Sequence, residues 1–297
     1  MNILIIGNGF DLDLGLKTQY SDFFHSKEFE HLEPFINHSN CLAHHLVEQQ
    51  KREEWFDLEE SMAEYVKEKE RKKDFTCAEI DKFFLNELKY ELWDYISGKV
   101  LKIPPGNSLA KSTIQFQNKC NFFERIYSFN CFEMSDYNFA TSRELQNLYD
   151  VRYVHNCHND IILGIGDNDS TSMQYKFLKK TYQNYPSDCI TQMKSDMLKA
   201  ENVVIFGHSF NRIDMVYFKD LFFYISQPHH INRNILLITK DSQSAKQIKE
   251  NITDYAILFP ILESSCNISF VYTEKCKSIK DLENYVSISN YKTDEIS

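Results

Sequence analysis

Glycine and proline are scarce in this sequence, at 8 and 6 of 297 residues. So few breakers leave little room for long irregular loops, and most of the chain should be regular structure. Scarcity also makes the clustered glycines informative, since each marks a backbone position with a special requirement. No apolar run is long enough to span a bilayer. The apolar opening Asn2–Ile6 is too short for a signal segment and breaks at once into Gly7-Asn8-Gly9. No C-x-x-C pair occurs among the eight cysteines, Cys41, Cys77, Cys120, Cys131, Cys157, Cys189, Cys266 and Cys276. Cysteines scattered in this way, with no leader before them, point to reduced thiols in a cytoplasmic protein. Positive charge is in deficit, 33 Lys and Arg against 43 Asp and Glu, for a formal net charge of -10. That balance argues against a general nucleic-acid binder, which needs a basic face for phosphates, though it leaves room for a local basic patch.

What is present is an ordinary apolar share, 42%, with abundant aromatics, 23 Phe and 17 Tyr. A chain of this length can build one large α/β domain. Asn2–Ile6 reads as a buried central strand of a parallel sheet. A helix is expected to begin near Thr18 or Ser21. Residues 22–116 read as helical with mixed charge. Trp55, Leu58, Met62 and Tyr65 share one helix face, and Ile80, Phe84, Leu88 and Leu92 share another. The charged stretch Glu64–Asp74 reads as a solvated face. Pro104-Pro105-Gly106 is a breaker. Strand text returns at Phe122–Phe129, Val151–His155, Ile161–Ile165, Asn202–Phe206, Asn234–Thr239 and Ile268–Tyr272. Helical text lies at Ser172–Lys199, Arg212–Ile225 and Asp241–Asn251. The alternation predicts a parallel, doubly wound α/β sheet. One domain over 1–286 is expected, with 22–116 as a helical insertion between the first and second strands and 287–297 as a frayed tail.

Four strand ends carry the candidate chemistry. Gly7-Asn8-Gly9-Phe10-Asp11 follows the first strand, where α/β proteins turn backbone N–H groups toward a phosphate. Leu12 stands where a full dinucleotide fingerprint has its third glycine. Asp11 could contact a ribose hydroxyl, act on water, or cap the helix. Ser128-Phe129-Asn130 closes the second strand, and Asn130 can hold a ribose or a water without carrying charge. Tyr153-Val154-His155-Asn156 closes the third, and His155 is placed to act as a general base. His155-Asn156-Cys157-His158 is a poor metal motif, and no metal is expected. Gly207-His208-Ser209-Phe210-Asn211, with Asp214 one turn on, follows the apolar strand Asn202–Phe206, and Ser209 is a plausible phosphate ligand. The same text is also half of a G-x-S-x-G nucleophile elbow, with Asn211 in place of the second glycine, which leaves an esterase using Ser209 as a minor alternative.

Taken in order, these pieces resemble the bacteriophage abortive-infection AbiH family. Ile6-Gly7-Asn8-Gly9-Phe10-Asp11 with Gly15, Thr18, Tyr20 and Phe23 resembles its opening signature. Trp55-Phe56-Asp57-Leu58-Glu59 resembles its W-x-D-x-E helix. Ser128-Phe129-Asn130 resembles its F-N-Y-T strand end, with Cys131-Phe132 replacing Tyr-Thr. Val154-His155 and Ile162-Leu163-Gly164-Ile165-Gly166-Asp167 resemble its H-G and I-L-G-I-G segments, with Asn156 replacing the glycine. Gly207-His208-Ser209 with Asp214 resembles its G-H-S-x-x-x-x-D. The resemblance spans about residues 2–225.

It implies antiphage defence, in which an infected bacterium stops growing before phage spreads. The motif order also resembles a Rossmann-like, sirtuin-like NAD-binding fold. On that likeness NAD or a related nucleotide is the substrate or ligand, His155, Asn130 and Asp11 are catalytic, and Gly7, Asn8, Gly9, Phe10, Gly207, Ser209 and Asp214 bind it. An NAD glycohydrolase and a non-catalytic module that senses a nucleotide or a phage-derived trigger are the two readings. No membrane partner is expected, and an oligomer is compatible with the sequence.

Overall fold

The structure is a computed structural model that describes residues 1–38, 41–52, 57–99, 106–130, 151–154, 156–157, 160–161, 163–166, 172–178, 187–227 and 233–278. The chain divides into two compact units, one of residues 1–16, 102–154 and 188–297, the other of residues 17–101 and 155–187. The tail expected at 287–297 lies outside the described residues.

The first unit is an open sheet. Its strands are β1 (Asn2–Ile6), β2 (Arg125–Ser128), β3 (Val151–Tyr153), β6 (Asn202–Phe206), β7 (Asn234–Thr239) and β8 (Asn267–Tyr272), all parallel, in the order β3-β2-β1-β6-β7-β8. Every residue of β1 and β6 is buried. Both faces of a parallel sheet are covered, so its central strands are continuous apolar runs rather than alternating ones. Helices α1 (Asn8–Asp13), α8 (Leu109–Cys120), α9 (Ser187–Lys199), α10 (Met215–Ile225), α11 (Ser242–Tyr255) and α12 (Phe259–Ser265) flank it. The expected α/β doubly wound sheet is therefore present. Counted by the sheet's own strands in chain order, the arrangement is 3-2-1-4-5-6, the Rossmann order, and it reverses direction between β1 and β6.

Four of these strands open on asparagine, and the register aligns Asn2, Asn202, Asn234 and Asn267 side by side. Asn267 Nδ2 donates to Asn234 Oδ1 at 2.8 Å, Asn234 Nδ2 to Asn202 Oδ1 at 2.8 Å, and Asn202 Nδ2 to Asn2 Oδ1 at 2.7 Å. Asn2 Nδ2 then donates to the Phe122 carbonyl at 3.2 Å. A carbonyl can only accept, so this last bond fixes the sense of the whole amide chain. Each link contributes about 1 kcal/mol. A one-residue slip of any strand would break its links, so the ladder helps to hold the register that positions the opposite strand ends.

The second unit is mainly helical: α2 (Tyr20–Phe24), α3 (Lys27–Glu30), α4 (Glu33–Ile36), α5 (Leu42–Arg52), α6 (Leu58–Lys72) and α7 (Ala78–Lys99), with a two-stranded hairpin of β4 (Asn156–Cys157) and β5 (Asp160–Ile161) and a 3-10 turn at Met173–Leu178. Leu58, Met62, Tyr65, Phe84, Leu88 and Leu92 are buried, as their spacing predicts, and Trp55 lies outside the described residues. The unit also buries a polar cluster. Asp81 is fully buried and accepts from Leu42 N at 2.8 Å, Tyr65 Oη at 2.7 Å and Tyr175 Oη at 3.3 Å. Burial pushes the Asp81 carboxyl up, against the pull of its three donors, and pushes both phenols up as well. The charged stretch 64–74 is mostly solvated, but Lys69 is not. It is buried over the Tyr65 ring and pairs with Asp74 at 2.6 Å.

Several boundaries differ from the sequence reading. The helix expected near Thr18 or Ser21 is α2, which begins at Tyr20 with Gln19 as its cap, and a further short helix, α1, already starts at Asn8. Helix α8 belongs to the sheet unit, where Asp13 Oδ2 accepts from Ala110 N at 2.8 Å. The strand expected at Ile161–Ile165 is instead the short β4–β5 hairpin, outside the main sheet. Among the described residues no helix is long and apolar enough to cross a membrane.

Candidate functional site

Open α/β sheets bind ligands outside the carboxyl ends of their strands, where the strand order reverses. Here that point lies between β1 and β6, and the turns Gly7-Asn8-Gly9 and Gly207-His208-Ser209 leave from it. The two turns touch backbone to backbone. A Cβ on Gly7 would meet Gly207 O at 2.7 Å, one on Gly9 would meet Gly207 Cα at 2.6 Å, and one on Gly207 would meet Phe10 N at 2.3 Å. Gly207 also has φ +70°, in the left-handed region. Close approach of the two turns thus explains all three glycines.

That contact uses the backbone donors. Gly7 N–H donates to Phe206 O at 2.8 Å, Gly9 N–H to Gly207 O at 2.9 Å and Phe10 N–H to Gly7 O at 3.0 Å. The expectation that these groups point outward at a phosphate is not met at Gly7, Gly9 or Phe10. Phe10 is itself core, with its ring edge-on to Phe206. Asn8 is exposed at the start of α1.

Asp11 does not cap α1. The cap position is Gly7, and Asp11 lies in the first turn with its side chain 1% exposed. A carboxyl that deep in a sheet crevice is a functional candidate, because an acidic side chain is rarely buried without a specific role or partner.

Asn130 gives the clearest signal. Phe129 N–H donates to Ile6 O at 2.8 Å and Val154 N–H to Ser128 O at 2.7 Å, so β2 is locked to both neighbours up to its last residues. Ser128 Oγ accepts from Asn130 N–H at 3.2 Å and fixes the backbone one residue beyond. The Asn130 side chain is 4% exposed, and among the described residues neither its Oδ1 nor its Nδ2 has a hydrogen-bond partner. An unsatisfied buried amide costs free energy at each polar atom, and native proteins keep one where a ligand, an ion or a water completes it.

The turn after β6 is built around His208, which the sequence reading passed over. Its ring is buried against Phe129, Phe210 and Phe218, with centroids 4.8, 5.0 and 4.7 Å away. Nδ1 accepts from Phe210 N–H at 3.0 Å, and Nε2 lies 3.7 Å from Asp214 Oδ2. A backbone N–H only donates, so Nδ1 carries no proton and the ring proton is on Nε2, facing Asp214. Phe210 has φ +54°, a strained position for a bulky residue. The turn is held there by the His208 bond, by Asn251 Nδ2 donating to Ser209 O at 2.9 Å, and by Asp214 N–H donating to Asn211 Oδ1 at 2.8 Å. Ser209 is half-buried. The left-handed positions are Gly207 and Phe210, so Ser209 lacks the strained backbone that presents a nucleophile on an elbow. The position of His208 inside G-H-S, beside a glycine and ahead of an aspartate, was the signal available in the sequence.

His155 lies outside the described residues, as do His158, Cys131 and Phe132. Among the described residues no three His, Cys, Asp or Glu side chains are arranged to hold a metal. In the helical unit, two segments singled out in the sequence meet. Asp57 caps α6 by accepting from Glu59 N and Glu60 N, each at 3.0 Å, and the buried Glu59 accepts from Gly164 N at 3.3 Å. Glu59 thus ties the start of α6 to Gly164.

No curated protein matches the chain. The family model described as Bacteriophage abortive infection AbiH matches residues 3–235, from β1 past the end of α10. That span holds all four strand-end turns, and the chain belongs to the bacteriophage abortive infection AbiH family.

Proposed function

We propose that the crevice outside β1, β2 and β6 binds an NAD-like nucleotide, and that the protein halts infection by cleaving it. The observation that carries this reading is the buried amide of Asn130, with both polar atoms unsatisfied among the described residues, at a Rossmann-order switch point. In the reaction the bond between nicotinamide and the ribose C1′ breaks, and its electron pair leaves with the ring. Water adds to C1′ and yields a proton to a base. The transition state is a cationic sugar, so the protein chiefly has to hold the ligand and aim one water. His155 is the base in this reading and takes the proton of the attacking water, while Asn130 holds the ligand in place. The buried Asp11 carboxyl stabilises the sugar cation, and Asn8, Ser209 and Asp214 line the ligand. With the Gly7, Gly9 and Phe10 donors engaged in the fold, side chains rather than that turn take the polar contacts. NAD is a cytoplasmic pool, so the protein acts there, after a phage-derived trigger.

The test is to incubate the purified full chain with NAD and follow free nicotinamide. His155→Ala is expected to reduce release on the order of 10²–10⁴-fold, the usual contribution of a general base. Nicotinamide release by His155→Ala at the wild-type rate would remove His155 from the mechanism. NAD bound but left intact by the wild type would leave the nucleotide-sensing reading in place of the enzyme.

A further inference from the structure

The chemistry left open at Asn130 also restricts what can lie against it. We propose that Asn130 makes the crevice selective for a ligand whose innermost group is neutral and offers one hydrogen-bond donor beside one acceptor, such as a carboxamide or an aminopurine edge. The inference rests on the nucleotide reading and names the part of the ligand that this strand end takes.

A side-chain amide presents an acceptor and a donor side by side in one plane. Here both are buried and both lack a partner among the described residues. Ser128 Oγ accepts from Asn130's own backbone N–H, which fixes the backbone that carries the amide. With Phe129 and Val154 locked in the ladder on either side, the amide is presented from a fixed backbone. A phosphate or carboxylate placed here would satisfy Nδ2 but set an oxygen against Oδ1. It would also be buried beside a neutral group that cannot compensate its charge. A hydroxyl alone satisfies one atom well and the other poorly. A carboxamide satisfies both atoms at once, and so does the N6/N7 edge of adenine, the pairing by which Asn reads adenine elsewhere.

The probes are three dinucleotides, titrated calorimetrically into the full-length protein. These are NAD, its nicotinic acid analogue, in which the carboxamide becomes a carboxylate, and its hypoxanthine analogue, in which the purine amino group becomes an oxo group. One analogue is expected to bind about tenfold or more weaker than NAD, the effect of leaving a buried partner unpaired. A loss confined to the acid analogue identifies the carboxamide, and a loss confined to the hypoxanthine analogue identifies the purine edge. Asn130→Ala, its fold confirmed by circular dichroism, should bind all three alike, at the affinity of the weaker analogue. Equal binding of all three by the wild type would overturn the inference while leaving the nucleotide reading intact. Discrimination that survives in Asn130→Ala would assign it to another residue and overturn it too. Failure of the wild type to bind any of the three would end the nucleotide reading itself, and this inference with it.

Discussion

Gly207→Ala is expected to destabilise the sheet unit by about 2–5 kcal/mol, the sum of a left-handed backbone penalty and an overpacking penalty. The new Cβ would lie 2.3 Å from Phe10 N and 2.5 Å from both Gly9 C and Gly9 Cα. All three are backbone atoms, so no side-chain rotation relieves the contact. They belong to the turn that leaves β1, and yielding would pull the Gly9 N–H from Gly207 O. The left-handed φ of Gly207 adds its own strain for any residue with a side chain. Since whole domains are stable by only about 5–15 kcal/mol, most of the soluble protein should be lost. Gly106→Ala is the control. Gly106 also has positive φ, but nothing lies within 4 Å of its added Cβ, so only the backbone penalty remains. Urea unfolding of the two variants should separate strain from collision. A Gly207→Ala protein as stable as Gly106→Ala would mean that the two turns do not meet as described.

Asn130→Leu is expected to do the reverse, raising the stability of the ligand-free protein by about 2 kcal/mol. Leucine has the same number of side-chain heavy atoms and the same branching. It removes two buried polar atoms that have no partner among the described residues, each a penalty of roughly 1–3 kcal/mol, and part of that gain is lost to imperfect packing. The same variant should be stabilised by added NAD less than the wild type is. A residue whose removal strengthens the fold and weakens the ligand effect is one retained for binding. A clear loss of stability in Asn130→Leu, measured by thermal unfolding without ligand, would make Asn130 an ordinary structural side chain.

The strands were legible because a parallel sheet buries both faces. Asn2–Ile6, Asn202–Phe206 and Asn234–Thr239 stand out as continuous apolar runs with sharp ends, and their boundaries agree with the sequence reading. The strand ends were legible for the same reason, since turns and polar residues follow each run abruptly. What the sequence hid was long-range contact. Nothing near Gly7 or Gly9 indicates that Gly207, some 200 residues later, will press against them, so a packing requirement read as a phosphate turn. Asp11 looked like a helix cap because acids are common there, and only the fold reveals that α1 starts three residues earlier. His208 was overlooked because a lone histidine in apolar text has no visible partner until Phe210 and Asp214 fold around it. The asparagine ladder was open to view, in four strands each beginning with Asn, but reading it required knowing which strands lie side by side.

The central claim is that this crevice acts on NAD during infection, and infected cells test it most directly. Bacteria carrying the wild type or Asn130→Ala would be infected, and the NAD pool and phage yield measured in the same cultures. The account predicts that the NAD pool falls and phage yield drops with the wild type, while a folded Asn130→Ala protein keeps the pool and loses protection. Protection by the wild type with an unchanged NAD pool would contradict it.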